Sequence, residues 1–145
     1  MVTRLQRYAW LSVLVLIAAC ANVTSTKAPD ADLSKIRTIY VPKLQGEGYD
    51  INLLIVKRLT AMGYEATTGT SETPPQPVDA TITYVDRWSW DMAPYLMRLT
   101  VQLRDGSTGA ILASSESFRP SLERKQPEAM VEECLDALFG KTPKK

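Results

Sequence analysis

Apolar residues recur along this chain with two different periods, which predict five strands and two helices. The clearest alternation, with a period of two, spans residues 95–104. Its apolar face carries Tyr95, Met97, Leu99, Val101 and Leu103. Its polar face carries Arg98, Thr100, Gln102 and Arg104. This pattern predicts a strand with one face on a core and the other in solvent.

The other elements follow from β-branched runs and from helical stripes. Four further strands are predicted at 36–41, 64–68, 80–87 and 110–118, and helices at 50–62 and 127–140. The order β-α-β-β-β-β-α contains a helical crossover, which implies a parallel pair. The last three strands are closely connected and imply an antiparallel meander. We therefore predict an α+β domain with a single mixed β-sheet and two helices packed on one face.

Residues 1–19 have the composition of a secretory signal. Arg4 and Arg7 lie at its start, and the apolar run that follows is shorter than the roughly 20 residues that a membrane-spanning helix needs. The small residues Ala18 and Ala19 stand directly before Cys20. This arrangement predicts a lipoprotein signal peptide, with acyl chains such as palmitate attached to the Cys20 thiol.

The predicted mature chain divides into three parts. Residues 20–33 begin with the lipidated Cys20 and are polar with little hydrophobic pattern, which predicts a flexible tether. Residues 34–140 hold all the predicted strands and helices and form a single periplasmic α+β domain. Residues 141–145 are a short basic tail.

Composition excludes several classes of function. Of 17 basic residues, Arg4 and Arg7 lie in the signal, so the mature chain carries 15 against 16 acidic residues. A net charge of −1 does not favour nucleic-acid binding. Histidine is absent, which excludes Ser-His-Asp and Cys-His sites and His-ligated zinc. We predict no cofactor and no metal, and with Cys20 acylated we expect Cys134 to be a buried free thiol.

A short aromatic segment and the polar strand face hold the candidate binding residues. Trp88 and Trp90 lie at a predicted turn and share a face on extended chain. With Tyr95 they either offer a contact platform or pack within the fold. Arg98 and Arg104 suit phosphate or carboxylate groups, although such a face is also typical of a solvated sheet. We predict that these five residues form a partner-binding surface.

Two alternatives remain open. Asp86 and Asp91 bracket the tryptophans and offer the pair of carboxylates that an envelope hydrolase needs. Aspartates at turns more often cap backbone groups, so no catalytic residue is assigned. The second alternative is a structural lipoprotein that self-associates through an open sheet edge.

The segment Ile17-Ala-Ala-Cys20 resembles the signal of small Gram-negative outer-membrane lipoproteins. In that class an Asp after the cysteine marks inner-membrane retention, so Ala21 resembles outer-membrane sorting. The element order is similar to that of envelope-assembly lipoproteins. The resemblance implies a lipid-anchored, non-enzymatic binding or accessory module of the cell envelope. It would face the periplasm and bind an envelope protein, glycan or lipid, and no nucleic acid.

Overall fold

A computed structural model describes residues 22–46 and 48–141, so the predicted signal and Cys20 lie outside the described residues. The strands are β1 (Asn22–Lys27), β2 (Thr38–Pro42), β3 (Glu65–Gly69), β4 (Ala80–Asp91), β5 (Ala93–Asp105) and β6 (Ile111–Phe118). The helices are α1 (Ile51–Ala61) and α2 (Pro127–Leu138), with short 3-10 turns at Leu33–Lys35 and Ser121–Glu123. In the described ranges no helix has the length and apolar character needed to cross a membrane.

The six strands form one mixed sheet in the order β1-β6-β5-β4-β2-β3. Strand β2 is parallel to β3 and β4, and the remaining pairs are antiparallel. Helix α1 packs on β2 and β3, helix α2 packs on β1, β5 and β6, and the helices contact each other. The predicted α+β class, with one mixed sheet and two helices on one face, is confirmed.

The core lies between the sheet and the two helices. From the sheet it contains Ile39, Val41, Ile82, Tyr84, Leu99, Val101 and Leu103. From the helices it contains Ile51, Ile55, Leu59, Met130, Val131, Cys134 and Leu135. These side chains are almost completely removed from solvent, and their burial supplies the main driving force for folding. The opposite face of the sheet carries the polar half of the β5 alternation.

A flexible tether was predicted over residues 20–33, and strand β1 corrects this prediction for residues 22–27. It pairs antiparallel with β6 along its whole length, from Asn22 opposite Phe118 to Lys27 opposite Ala113. Its sequence gave no strand signal because it lies at the sheet edge, where only Val23 is partly covered and the other side chains are exposed. Backbone hydrogen bonds to β6, rather than an apolar face, hold it in the sheet.

Strands β4 and β5 are longer than predicted, and they replace the predicted turn around Trp88 and Trp90. They form one hairpin in which only Met92 lies between the strand ends, with a φ of 59°. Such a left-handed conformation is uncommon for a residue with a side chain. Both tryptophans therefore lie on strand β4 and not in a loop.

A β-bulge changes which residues of β5 face the core. Arg87 pairs with Arg98, whereas Trp88 pairs with Leu96, so Met97 is the extra residue of β5. An extra residue reverses the alternation beyond it. Leu96 is therefore buried, and the expectation that Tyr95 and Met97 continue the apolar face is wrong.

Candidate binding surface

The end of the β4–β5 hairpin carries the most exposed apolar side chains near the predicted site. Trp90 is 73% exposed and Met92 is 89% exposed. We call residues 90–93 the hairpin tip. Leu122, in the 3-10 turn after β6, is 96% exposed. Large apolar side chains in solvent at one end of a sheet are typical of a contact surface.

Trp88, unlike Trp90, is partly buried and packs against the core. Its ring stacks on Tyr49, with ring centroids 3.7 Å apart and an interplanar angle of 19°. Its indole N–H donates to an Asp86 carboxylate oxygen at 2.8 Å, and the ring packs against the core. Tyr49 precedes α1 and was not a predicted site residue. Because the two aromatics are far apart in the chain, no local pattern indicates that they meet.

Tyr95 is covered by a residue from another element. The Arg124 guanidinium lies over its ring, 4.9 Å from the centroid, and also donates to an Asp91 carboxylate oxygen at 3.2 Å. Cation–π stacking and the ion pair connect the segment after Leu122 to the hairpin tip. Leu122 and the tip therefore lie at the same end of the sheet.

Arg98 and Arg104 lie on the side of the sheet that neither described helix covers. We call the outward side chains of β4, β5 and β6 the open sheet face. Arg98 donates to Glu116 at 2.9 Å and lies over the Phe118 ring, 5.0 Å from its centroid. Glu116 also accepts a hydrogen bond from the Thr100 hydroxyl at 3.1 Å. This part of the face is a partly exposed network of neutralised charges.

Arg104 stands at the other end of the same face. It donates to the Gln102 side chain at 2.7 Å, to the Thr83 hydroxyl at 3.3 Å and to the Gly109 carbonyl at 3.2 Å. Six residues along a strand separate it from Arg98 by about 20 Å. The five predicted residues thus fall into an exposed tip residue, two covered aromatics and two separated arginines.

Asp86 and Asp91 do not form a catalytic pair of the glycosidase kind. They are five residues apart on one strand, which separates their backbones by about 17 Å, and alternation directs them to opposite faces. Glycosidase carboxyl groups lie roughly 5–9.5 Å apart. Asp86 accepts from Trp88, and Asp91 is paired with Arg124. Both carboxylates therefore hold neighbouring side chains in place.

A polar cluster lies between α2 and the end of β6. Glu133 accepts from the Arg119 guanidinium at 2.8 and 2.9 Å, from the Ser117 hydroxyl at 3.1 Å and from Lys125. Burial pushes the Glu133 pKa upward, but the hydrogen bonds and charges of Lys125 and Arg119 outweigh it, so the pKa lies below its ordinary value. Glu133 is thus a partly buried anion that connects α2 to Ser117 and Arg119 at the end of β6.

Cys134 is buried beside that cluster, as predicted. Its thiol points toward the Leu99 carbonyl oxygen at 3.5 Å. Burial raises the pKa of the thiol to about 12. A thiol with that pKa is neutral at physiological pH, which makes it a structural rather than a nucleophilic group.

The comparisons with known proteins show a similarity of fold alone. No family model matches the chain, and no curated protein matches it. A PelC dodecamer from Paraburkholderia phytofirmans is 15% identical, has a TM-score of 0.57, and is matched over 85% of this chain and 99% of its own. A PDZ domain protein from Parabacteroides distasonis is 10% identical, with a TM-score of 0.57, over 86% of this chain and 37% of its own.

Proposed function

We propose that this chain is a lipid-anchored, non-enzymatic accessory module of the Gram-negative cell envelope. It faces the periplasm from the outer membrane and binds an envelope protein, or an envelope glycan or lipid. The observation that carries the proposal is the asymmetry of the sheet. Both helices of the described ranges cover one face, and neither covers the open sheet face, which presents Arg98 and Arg104.

The sequence before the domain supports the anchor. A short apolar signal with small residues precedes Cys20, and β1 begins at Asn22. A single acyl chain holds a protein only marginally on a membrane, whereas several chains, at about 0.8 kcal/mol per buried methylene, hold it stably. We therefore assign Cys20 as the lipidation site.

Replacing Cys20 tests the anchor directly. We expect Cys20→Ala to abolish acylation and to move the protein out of the outer-membrane fraction, while Cys134→Ala leaves both unchanged. Mass spectrometry of the purified protein and membrane fractionation measure the two effects. Complete retention of Cys20→Ala in the membrane fraction would contradict the anchor.

Photo-crosslinking in cells tests the binding surface. Crosslinking residues at 98 and 104 sample the open sheet face, and one at Glu128, on helix α2, is the matched control. We expect one envelope protein to be captured from 98 and 104 and not from 128. Equal capture from all three positions, or capture of copies of this chain alone, would contradict a specific partner at this face.

Self-association is the second candidate, and it is favoured by the sheet edge. Strand β1 is the terminal strand of the sheet among the described residues, and no described strand pairs with its outer backbone edge. The PelC protein that shares this fold is a dodecamer in its solved structure. If this candidate holds, the purified Cys20→Ala protein, which has no acyl chains, forms oligomers whose mass rises with concentration. A constant monomer mass by light scattering would exclude it.

A further inference from the structure

The exposed apolar tip and the start of β1 lie toward the same end of the sheet. One row of opposing residues crosses four strands that are adjacent in the sheet. It consists of Asn22 in β1, Phe118 in β6, Arg98 in β5 and Arg87 in β4. Strand β1 begins at Asn22, so the direction backward along the chain, toward Cys20, leads away from the rest of β1. From Arg87 the hairpin continues in that same direction to its tip.

The hairpin extends further past this row than the lipidated residue can. Asp91 is four residues beyond Arg87 on β4, which corresponds to about 14 Å of strand. Cys20 is two residues before Asn22, so its backbone lies at most about 7 Å from the row. A bilayer that holds acyl chains on Cys20 therefore lies within reach of the tip.

The side chains at this end have the chemistry of a membrane interface. Trp90, Met92 and Leu122 are large, apolar and mostly in solvent. The neighbouring charges Asp91 and Arg124 neutralise each other in an ion pair. Tryptophan is favoured at the headgroup level of bilayers because its ring is apolar and its N–H is polar. At the tip itself the large exposed side chains are thus apolar, and its one charged residue, Asp91, is paired.

We propose that the hairpin tip, together with Leu122, inserts into the surface of the bilayer that holds the acyl chains of Cys20. This inference rests on the proposed lipidation. It assigns Trp90 to the membrane rather than to a protein partner. The domain then stands with its strands directed at the bilayer, and the open sheet face, running along the strands, faces sideways into the periplasm.

Fluorescence quenching of the lipidated full-length mature protein tests this contact. In the variant Trp88→Phe, Trp90 is the one tryptophan of the mature chain, because Trp10 lies in the signal. We use vesicles of phosphatidylethanolamine and phosphatidylglycerol with brominated acyl chains. We expect Trp90 emission to fall about twofold relative to unbrominated vesicles, as insertion to the headgroup–acyl boundary brings the ring near the bromines. In the matched variant Trp90→Phe, emission from Trp88 stays unchanged.

A second pair of variants tests the tip without altering its tryptophan. In the Trp88→Phe background we expect Leu122→Asp to reduce the quenching, because it places a charge at the interface. Ile111→Asp is the control, since Ile111 is also exposed but starts β6 at the opposite end of the sheet. Both substitutions are at exposed positions, where effects on folding are small. Equal quenching in both variants would count against the contact.

Three outcomes would overturn the proposal, and they are distinguishable. If mass spectrometry finds no acyl chains on Cys20, the anchor fails and the inference fails with it. If the acylated protein shows no quenching of Trp90, the tip contact fails and the anchor stands. If Trp90 emission of the non-acylated Cys20→Ala, Trp88→Phe protein shifts to the blue with protein concentration in the absence of vesicles, the tip binds a second copy instead.

Discussion

Arg58 joins the two helices through two carboxylates that differ in exposure. It donates to Asp136 at 2.7 Å and lies 3.1 Å from Glu132. The Asp136 side chain is 5% exposed, whereas that of Glu132 is 46% exposed. We expect the buried Asp136 carboxylate to contribute more to stability than the exposed Glu132 carboxylate, because solvent screens its attraction to Arg58 less.

We expect Asp136→Ala to lower the free energy of unfolding by about 2 kcal/mol. This loss is smaller than that from breaking a fully buried ion pair, because the Arg58 side chain is partly exposed to solvent. Glu132→Ala should cost less than about 1 kcal/mol, as exposed ion pairs do. Urea unfolding followed by circular dichroism measures both. Equal losses in the two variants would show that burial does not decide their contributions.

Cys134 provides a second test at the residue scale. Because burial raises its pKa to about 12, we expect the folded protein to resist alkylation by iodoacetamide at pH 8. The same thiol should react readily in urea. Counting alkyl groups by mass spectrometry distinguishes the two states, and fast labelling without denaturant would indicate an exposed thiol.

The burial of Cys134 was predicted from the sequence, whereas the burial of Glu133 and Asp136 on the same helix was not. An apolar stripe on α2 is a local signal, and Cys134 belongs to it. The burial of Glu133 and Asp136 has no local signal, because it depends on Arg119 and Arg58, which arrive from other elements. Long-range ion pairs of this kind are not encoded in the periodicity of one helix.

The turn between β5 and β6 is organised by one aspartate. An Asp105 carboxylate oxygen accepts from the hydroxyls and the backbone N–H groups of Ser107 and Thr108. These hydrogen bonds lower the pKa of Asp105 to about 2, and the one from the Ser107 hydroxyl has the largest effect. The charged form is therefore favoured by folding.

This shift predicts a pH-dependent effect of Asp105→Asn. The pKa in the folded state lies below the ordinary value of 3.8, so the stabilisation is complete above pH 3.8 and is lost as the pH falls through 2. We expect the wild type to be more stable than the variant at neutral pH and the difference to shrink below pH 4. Thermal melts at stepped pH measure it, and a difference independent of pH would contradict the assignment.

Among the elements, strands with one buried face were predictable and the edge strand was not. The alternation of Leu99, Val101 and Leu103 identified β5 correctly. No residue type near Met97 indicates a bulge, so the burial of Leu96 could not be predicted from the sequence. Strand β1 has exposed side chains on both faces, and its strand conformation depends on the presence of β6. Trp90 was identified as a candidate from its residue type, but its exposure depends on the hairpin extending beyond its neighbours.

For the whole molecule, the edge position of β1 predicts uneven protection of backbone amides. Strand β5 is central, whereas β1 pairs on one side with β6 and on the other with no strand of the described chain. We expect the β1 amides to exchange with deuterium through local opening, faster than those of β5. Hydrogen-exchange mass spectrometry measures both. Equal rates would indicate that β1 opens only when the domain unfolds.

The pairing of β1 with β6 also determines the order of events when the protein is made. Strand β1 lies near the start of the chain, whereas its partner β6 is translated after β2 to β5. Closing a contact between such distant segments is slow, because it carries a large loop-closure entropy. Strand β1 is therefore synthesised before it has a strand to join. It acquires a fixed orientation only when the hairpin of β5 and β6 has folded.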